Sequence, residues 1–173
     1  KATLPMTVRT CHGAGASAAA QHSGSYYGMI GSIPGIKVVV PATAYDAKGL
    51  LLASIEDNNT VVYFEDKTLY GLKGEVPEEY YTIEIGKANV VREGSDLTIV
   101  TIGKMLYVAL EVAETLEKDG VSVEVIDLRT VAPWDEETVL ESVKKTHRLI
   151  VIDEANPHNN VATDIASVVG QKA

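Results

Sequence analysis

Lys37-Val38-Val39-Val40-Pro41, followed by Thr43-Ala44-Tyr45-Asp46, reads as an apolar strand closed by a proline and succeeded by a capped helix. Proline lacks the N–H that a central strand donates, so pairing is expected to stop at Pro41. Thr43 can accept a backbone N–H of the first helical turn while Asp46 reaches back, the reciprocal arrangement of a capping box. The helix is predicted to run to about Glu56, to bury Ala47, Leu50, Leu51 and Ile55, and to stop at Asp57-Asn58-Asn59. An apolar strand beside an amphipathic helix is the repeating unit of a parallel sheet, because parallel neighbours need a crossover connection.

The same alternation extends in both directions. Strands are predicted over 6–10 and 61–64. Residues 66–84 break the rhythm with Gly71, Gly74, Pro77 and Glu78-Glu79, and a linker is placed at 71–85. Strands follow over 87–92, 97–102, 121–126 and 149–152, with helices over 104–118, 135–145 and 161–169. In the first of these helices Met105, Val108, Ala109, Val112 and Leu116 share one face, and Gly120 ends it. The expected fold class is α/β, with mostly parallel sheets and helices on both faces. No internal repeat or low-complexity segment interrupts it. The first strand starts almost at residue 1 and the last helix runs into Ala173, as if both ends were cut from a longer sheet.

Composition is that of a globular chain, with 46% hydrophobic and 23% charged residues in 173. The net charge of −9 is uneven: the first 72 residues carry five Lys or Arg against five Asp or Glu, so the remainder holds the whole imbalance. No basic face points to nucleic acid, and no apolar run has the length of a membrane span. The opening Lys1-Ala2-Thr3-Leu4-Pro5-Met6 lacks the pattern of a signal peptide. Cys11 is the single cysteine, so no internal disulfide can form, which suits a reducing compartment.

Gly13-Ala14-Gly15-Ala16-Ser17-Ala18 follows a strand and matches a dinucleotide-binding pattern. The context is poor. Glycines and serines continue through Gly31, and no acidic residue closes the 37–40 strand to hold a ribose. A plain glycine-rich loop is the expectation. His22 lies in this loop between Gln21 and Ser23, where an imidazole can exchange protons at neutral pH. His12, His147 and His158 have weaker contexts, and His147 reads as a solvated residue at a helix end. One cysteine and scattered histidines make no zinc site, no serine-nucleophile elbow is present, and nothing orients Cys11 against His12 or His22 as a thiol nucleophile. The carbonyls that end the helix near Ser54-Ile55-Glu56-Asp57-Asn58-Asn59 carry the negative end of a helix dipole, a natural place for a monovalent cation or simply a helix stop.

Taken together and in order, several runs carry a resemblance. They are Gln21-His22-Ser23, Pro34-Gly35-Ile36-Lys37-Val38-Val39-Val40-Pro41, Asp46-Ala47-Lys48-Gly49-Leu50-Leu51, Val61-Val62-Tyr63-Phe64-Glu65, Pro77-Glu78-Glu79-Tyr80, Gly86-Lys87-Ala88 and Val125-Ile126-Asp127-Leu128-Arg129-Thr130. The chain resembles the beta subunit of the thiamine-diphosphate-dependent 2-oxo-acid and acetoin dehydrogenases, collinearly over essentially its whole length. The resemblance implies the end of a pyrimidine-binding module over 1–70 and most of a transketolase-like C-terminal domain over 86–173.

It further implies oxidative cleavage of a C–C bond with acyl transfer to lipoamide, and His22 as the catalytic histidine, handling protons and the substrate or lipoyl group. Potassium would be held largely by backbone oxygens at Met6, Ser54, Ile55, Asp57 and Asn59. Thiamine diphosphate and Mg2+ would be bound mainly by residues outside this chain. The family's catalytic glutamate falls ahead of residue 1, so no cofactor-binding residue is assigned here, and the isolated chain is expected to be inactive. Gly24 departs from the Gln that relatives often carry.

The partners implied are an alpha subunit in an α2β2 assembly, a lipoyl acyltransferase core and a small-molecule substrate, with no nucleic acid and no membrane, in the cytoplasm or the mitochondrial matrix of a eukaryote. Asp153-Glu154-Ala155-Asn156-Pro157 and Ala162-Thr163-Asp164-Ile165-Ala166 look most like acetoin dehydrogenases, with pyruvate and branched-chain 2-oxo acids as alternatives. Two other readings stay open. One is an assembly module with interface residues in Tyr26-Tyr27-Gly28-Met29-Ile30. The other is a relative of transketolase or deoxyxylulose-phosphate synthase acting on sugars.

Overall fold

The structure is a computed structural model and describes residues 3–173. Two four-stranded sheets form its frame. In the first, β1 (Thr7–His12), β3 (Val61–Asp66) and β2 (Lys37–Val39) run parallel, and β7 (Thr130–Ala132) closes the far edge antiparallel to β2. In the second, β6 (Val123–Asp127), β5 (Leu97–Thr101) and β8 (Leu149–Ile152) are parallel, with β4 (Asn89–Arg92) antiparallel at the edge. The helices are α1 (Ala19–His22), α2 (Tyr27–Gly31), α3 (Ala44–Glu56), α4 (Met105–Lys118), α5 (Glu136–Thr146) and α6 (Val161–Lys172). None of the described helices is long and apolar enough to cross a membrane.

The strands separate three cores by alternation, since successive side chains of a strand point to opposite faces. Val39, Val61 and Tyr63 pack with Leu50 of α3 on one face of the first sheet. Val38 and Phe64 on its other face, with Val40 just past β2, join Val100 and Ile126 of the second sheet and Ile102 just past β5, together with Tyr27, Val139, Val143, Val161 and Ile165. Ile99, Val123 and Val125 on the last face pack under Leu106, Ala109 and Ala113 of α4. The middle core is therefore common to both sheets. A buried hydroxyl network also fixes α5 on β5, with Thr98 Oγ1 lying 2.6 Å from Ser142 Oγ and 2.7 Å from Thr146 Oγ1.

Some expectations needed correction. On α3, Leu50 is buried but Ile55 is exposed, because Leu50 and Ser54 face the sheet and the next residue rotates off that face. On α4 the buried stripe is Leu106, Ala109 and Ala113, while Val108 and Val112 are exposed and Met105 is half-buried. Alanines let this helix lie close on Ile99, Val123 and Val125, which turns the valine arc outward. The 71–85 segment has no regular element, yet it is laid along α3. Ile83 N–H donates to Gly49 O at 3.1 Å, the Tyr81 ring stacks on Tyr45, and Lys48 Nζ reaches the carbonyls of Pro77, Glu78 and Glu79. A Cβ at position 49 would stand 2.7 Å from both Ile83 and Tyr81, so glycine permits the close approach.

Strand β7 was not foreseen. The chain leaves β6 at Asp127, turns through Leu128-Arg129 and enters the first sheet, where Val40 N–H donates to Arg129 O at 2.8 Å. Arg129 holds a left-handed φ of 60°. Its guanidinium meets Asp46 at 2.5 Å and its N–H donates to Asp127 Oδ1 at 3.2 Å. Thr43 caps α3 as expected, accepting from Asp46 N–H at 3.0 Å. The Asp46 carboxylate, however, takes the Thr43 hydroxyl and Arg129 in place of the predicted backbone N–H.

Burial raises the Asp127 carboxyl to about 7, with the Asp46 charge adding to the rise and Arg129 opposing it. A carboxyl raised on folding contributes stability that is complete below its unfolded value near 3.8 and is lost as pH rises through about 7. Urea titrations of the wild type are expected to show unfolding free energy falling by roughly 2–4 kcal/mol between pH 4 and 7 from this group. Asp127→Asn is expected to remove that slope. Parallel pH profiles for the two proteins would show that Asp127 is not the group concerned.

Candidate active site at the strand ends

The C-terminal ends of β1, β3 and β8 converge, which is where open α/β sheets collect their functional loops. Parallel register sets His12 opposite Asp66. Two residues past the end of β8, Glu154 reaches the same place. His12 Nδ1 stands 3.3 Å from Glu154 Oε1 and 3.4 Å from Ser25 Oγ. Ser25 Oγ donates to the same carboxylate oxygen at 2.9 Å, and Ala14 N–H approaches it at 3.4 Å. The second carboxylate oxygen of Glu154 lies 2.8 Å from Lys104 Nζ. Next door, Tyr27 donates its hydroxyl to Asp153.

This is a nearly dry place. The His12 side chain is 2% exposed and that of Glu154 7%. The His12 ring meets Tyr27 and Phe64 edge to face at centroid distances of 5.3 and 5.9 Å. Asp66 Oδ1 accepts from the Thr68 N–H and hydroxyl, while Asp66 Oδ2 and His12 Nε2 are buried without a partner. Burial alone would raise the Glu154 carboxyl. Hydrogen bonds from His12, Lys104 and Ser25 outweigh it and hold the group at about 2. Burial and the charges of Asp153 and Glu154 push the Tyr27 phenol well above its usual range, so it acts as a donor.

His12, Asp66 and Glu154 each offer a ligand atom, all within 4.8 Å of one another. A metal ion could use such a trio, but the Lys104 ammonium already supplies a positive charge against Glu154. Lys104 also lies under the glycine loop: a Cβ at Gly15 would stand 1.8 Å from its Nζ. The loop itself forms a single 3-10 turn at Ala14–Ala16, so the dinucleotide-like spacing opens no phosphate-binding helix there.

The predicted site residues divide into two places. His22 ends the short helix α1 with its side chain exposed, and Lys67 Nζ donates to its backbone carbonyl. Ser23, two residues before Ser25, lines a cavity of about 440 Å3 shared with Ala14, Met29, Glu154 and His158. Met6, Ser54, Ile55, Asp57 and Asn59 lie at the opposite end of β1. There the Thr7 hydroxyl donates to Ser54 O at 2.8 Å and Val61 N–H to Met6 O at 2.9 Å. Asp57 accepts from Lys37 and from the N–H and side chain of Asn59; burial acts against its ionisation, but these donors lower the carboxyl overall.

Cys11 is exposed while His12 is buried, as strand alternation requires, so no thiol–imidazole pair forms between them. Tyr27, offered as an interface residue, is fully buried; Tyr26 and Met29 are the exposed members of that run. Sequence reasoning undervalued His12 and missed Glu154, Lys104 and Asp66. The usable signal was that His12, Asp66 and Asp153-Glu154 all sit where predicted strands end.

The profile of "Transketolase, pyrimidine binding domain" matches residues 1–73, and that of "Transketolase, C-terminal domain" matches 86–173. The chain belongs to the transketolase family. Among curated relatives, the "Acetoin:2,6-dichlorophenolindophenol oxidoreductase subunit beta" of Bacillus subtilis is 58% identical over 99% of this chain and 50% of its own length. The protein of the same name from Cupriavidus necator is 54% identical over 100% and 51%. The "Pyruvate dehydrogenase E1 component subunit beta" of Bacillus subtilis is 48% identical over 99% and 53%. The chain thus spans about half the length of these relatives. A solved structure titled "Split gene transketolase, inactive beta4 tetramer" superposes with a TM-score of 0.81 at 26% identity, covering 98% of this chain and 55% of that one. The beta-subunit resemblance read from the sequence agrees with these findings.

A carboxyl depressed on folding contributes stability above its unfolded value and loses it as pH falls through its folded value. For Glu154 that window runs from about pH 4.5 down to about pH 2. The stability difference between wild type and Glu154→Gln is expected to be full at pH 6 and to shrink steadily as pH is lowered across this window in urea titrations. A difference that stays constant from pH 6 to pH 2 would contradict the assignment.

Proposed function

We propose that this chain is part of the beta subunit of a thiamine-diphosphate-dependent dehydrogenase, with acetoin as its first candidate substrate and pyruvate or a branched-chain 2-oxo acid next. The observation that carries the reading is similarity along the whole chain, higher to two acetoin-oxidoreductase beta subunits than to the pyruvate dehydrogenase one. An alpha subunit in an α2β2 assembly, a lipoyl acyltransferase core and a cytoplasmic setting, or the mitochondrial matrix in a eukaryote, belong to the same proposal.

Thiamine diphosphate, with Mg2+, would supply the chemistry for cleaving a C–C bond next to a carbonyl. The described residues offer it no obvious partner. The well-buried glutamates Glu124 and Glu154 are each engaged, by Lys145 and by His12, Ser25 and Lys104. What this chain adds is His22. Its imidazole stands clear of the loop that crosses the strand ends, free to give or take a proton at a substrate oxygen or an incoming lipoyl thiol. Reconstitution of the full-length parent beta subunit with the alpha subunit, assayed on acetoin, pyruvate and 2-oxoisovalerate, is expected to show acyl transfer to lipoamide fastest from acetoin. His22→Ala is expected to lower it about 10²–10⁴-fold with folding unchanged. Unaltered transfer in that variant would remove His22 from the catalysis, and indifference among the three substrates would remove the acetoin assignment.

We further propose a potassium site at Met6, Ser54, Ile55, Asp57 and Asn59. The donors suit a hard monovalent ion, being oxygens at the negative end of α3. The carbonyls of Ser54 and Met6 each accept one protein hydrogen bond and keep a second lone pair. Potassium at ten times its dissociation constant is expected to add about 1.4 kcal/mol to unfolding free energy. Thermal melting in KCl against tetramethylammonium chloride at equal ionic strength reads this as a rise of a few degrees; identical curves would argue against the site.

A further inference from the structure

The loop that carries His22 is costly to hold in place. Gly13 has a φ of 126°, and Ser17 and Ala19 adopt left-handed φ values of 49° and 57°, which side chains tolerate only where their surroundings over-determine them. A Cβ at Gly13 would also stand 3.0 Å from Asp66 Oδ1. Between its ends the loop is anchored by Ser23 Oγ, which accepts from Ala18 N–H at 3.0 Å, and by Lys67 Nζ, which donates to His22 O. Its two ends, by contrast, meet at a single carboxylate. Glu154 Oε1 takes Ala14 N–H from the start of the loop and the Ser25 hydroxyl from its end, and faces His12 Nδ1 on the strand that feeds it.

We propose that Glu154 is a positioning residue: by clasping Ala14 and Ser25 against His12 and Lys104, it fixes the 13–25 loop and so sets where His22 stands. The inference rests on the reading of His22 given above. A carboxylate is suited to this because one of its oxygens can accept several donors while the other meets an ammonium. A carboxamide has one acceptor oxygen, and its NH2 would have to face either Lys104 or the loop's own donors. The clasp is built on a rigid element. Glu154 stands two residues past β8, and the intervening Asp153 takes the hydroxyl of Tyr27, the buried residue that opens α2 just past the loop. Residues of the C-terminal module thereby hold the His22 segment from both sides. Lys104, from the turn before α4, supplies the balancing charge beneath Gly15.

Hydrogen exchange on the 173-residue chain tests the clasp alone. In Glu154→Gln, amides of residues 14–23 are expected to exchange at least tenfold faster, with those of α4 and α5 unchanged. Ser25→Ala, which leaves no charge unpaired and so preserves the fold, is expected to accelerate the same amides by two- to threefold. Unchanged exchange of the loop in these variants overturns the proposal. In the reconstituted enzyme, Glu154→Gln is expected to lower kcat by tenfold or more with KM within twofold, and the double variant with His22→Ala to be no slower than His22→Ala alone. A double variant slowed by the product of the two single effects would show that Glu154 acts independently of His22, overturning the positioning role. Failure of the His22 reading is distinct: His22→Ala would then turn over normally while the exchange data still reported the clasp.

Discussion

The contact on which the two sheets depend is the ion pair between Arg129 and Asp46, with Asp127 beside it. The chain passes from one sheet to the other through Leu128-Arg129, and this turn is where a left-handed backbone, a partly buried arginine and two buried carboxylates meet. Burial disfavours the charged form of Asp127, and the Asp46 charge nearby adds to it, so the Asp127 carboxyl is raised although Arg129 opposes the rise. The arrangement gives stability of its own only weakly, because desolvation offsets much of the attraction. Its structural effect is directional. It ties the N-terminus of α3 to the crossing and lets β7 pair with β2, so that Val38, Val40 and Val131 share one core with Val100, Ile126 and Val139.

That shared core explains why the site is composite. β1 and β3 belong to the first sheet and β8 to the second, yet their C-terminal ends deliver His12, Asp66 and Glu154 to one point. Were the sheets free to move against each other, the 3.3 Å contact between His12 and Glu154 would be the first to vary. The oxygens and nitrogens collected there satisfy one another incompletely: His12 Nε2, Asp66 Oδ2 and Asp153 Oδ2 stay unpaired, and Glu154 Oε2 has only the Lys104 ammonium.

Much of the fold was legible because hydrophobic periodicity and stop signals are local. The capped start of α3, the Gly120 turn with its φ of 78° after α4, and the 149–152 strand follow from residues within a few positions of each other. What escaped was set by distant residues. Thr130-Val131-Ala132 has too little length to announce a strand, and only its pairing with β2 makes it one. On α4, two apolar arcs flank Ala109, and which of them is buried depends on the shape of a sheet that the helix sequence does not contain. The site divides the same way. His22 was visible through a motif. His12 gains its meaning from Glu154, 142 positions away in sequence, and a lone histidine at a strand end carries no trace of that partner.

β1 links the two candidate sites. Its first residues, with Met6 just ahead, lie against the C-terminal end of α3 through the Thr7 hydroxyl, and its last residue is His12. A strand of six residues spans roughly 20 Å, so the two ends are too far apart for one to touch what the other binds. They are nevertheless mechanically joined, since β1 pairs with β3 alone and sits at the sheet edge. With one neighbour, its position depends on what braces its start. A cation shared by Met6 and the end of α3 would brace that start, and the clasp at Glu154 holds the other end. On this view the proposed ion acts on the chemistry through the placement of a strand, and not through any charge it presents to the substrate.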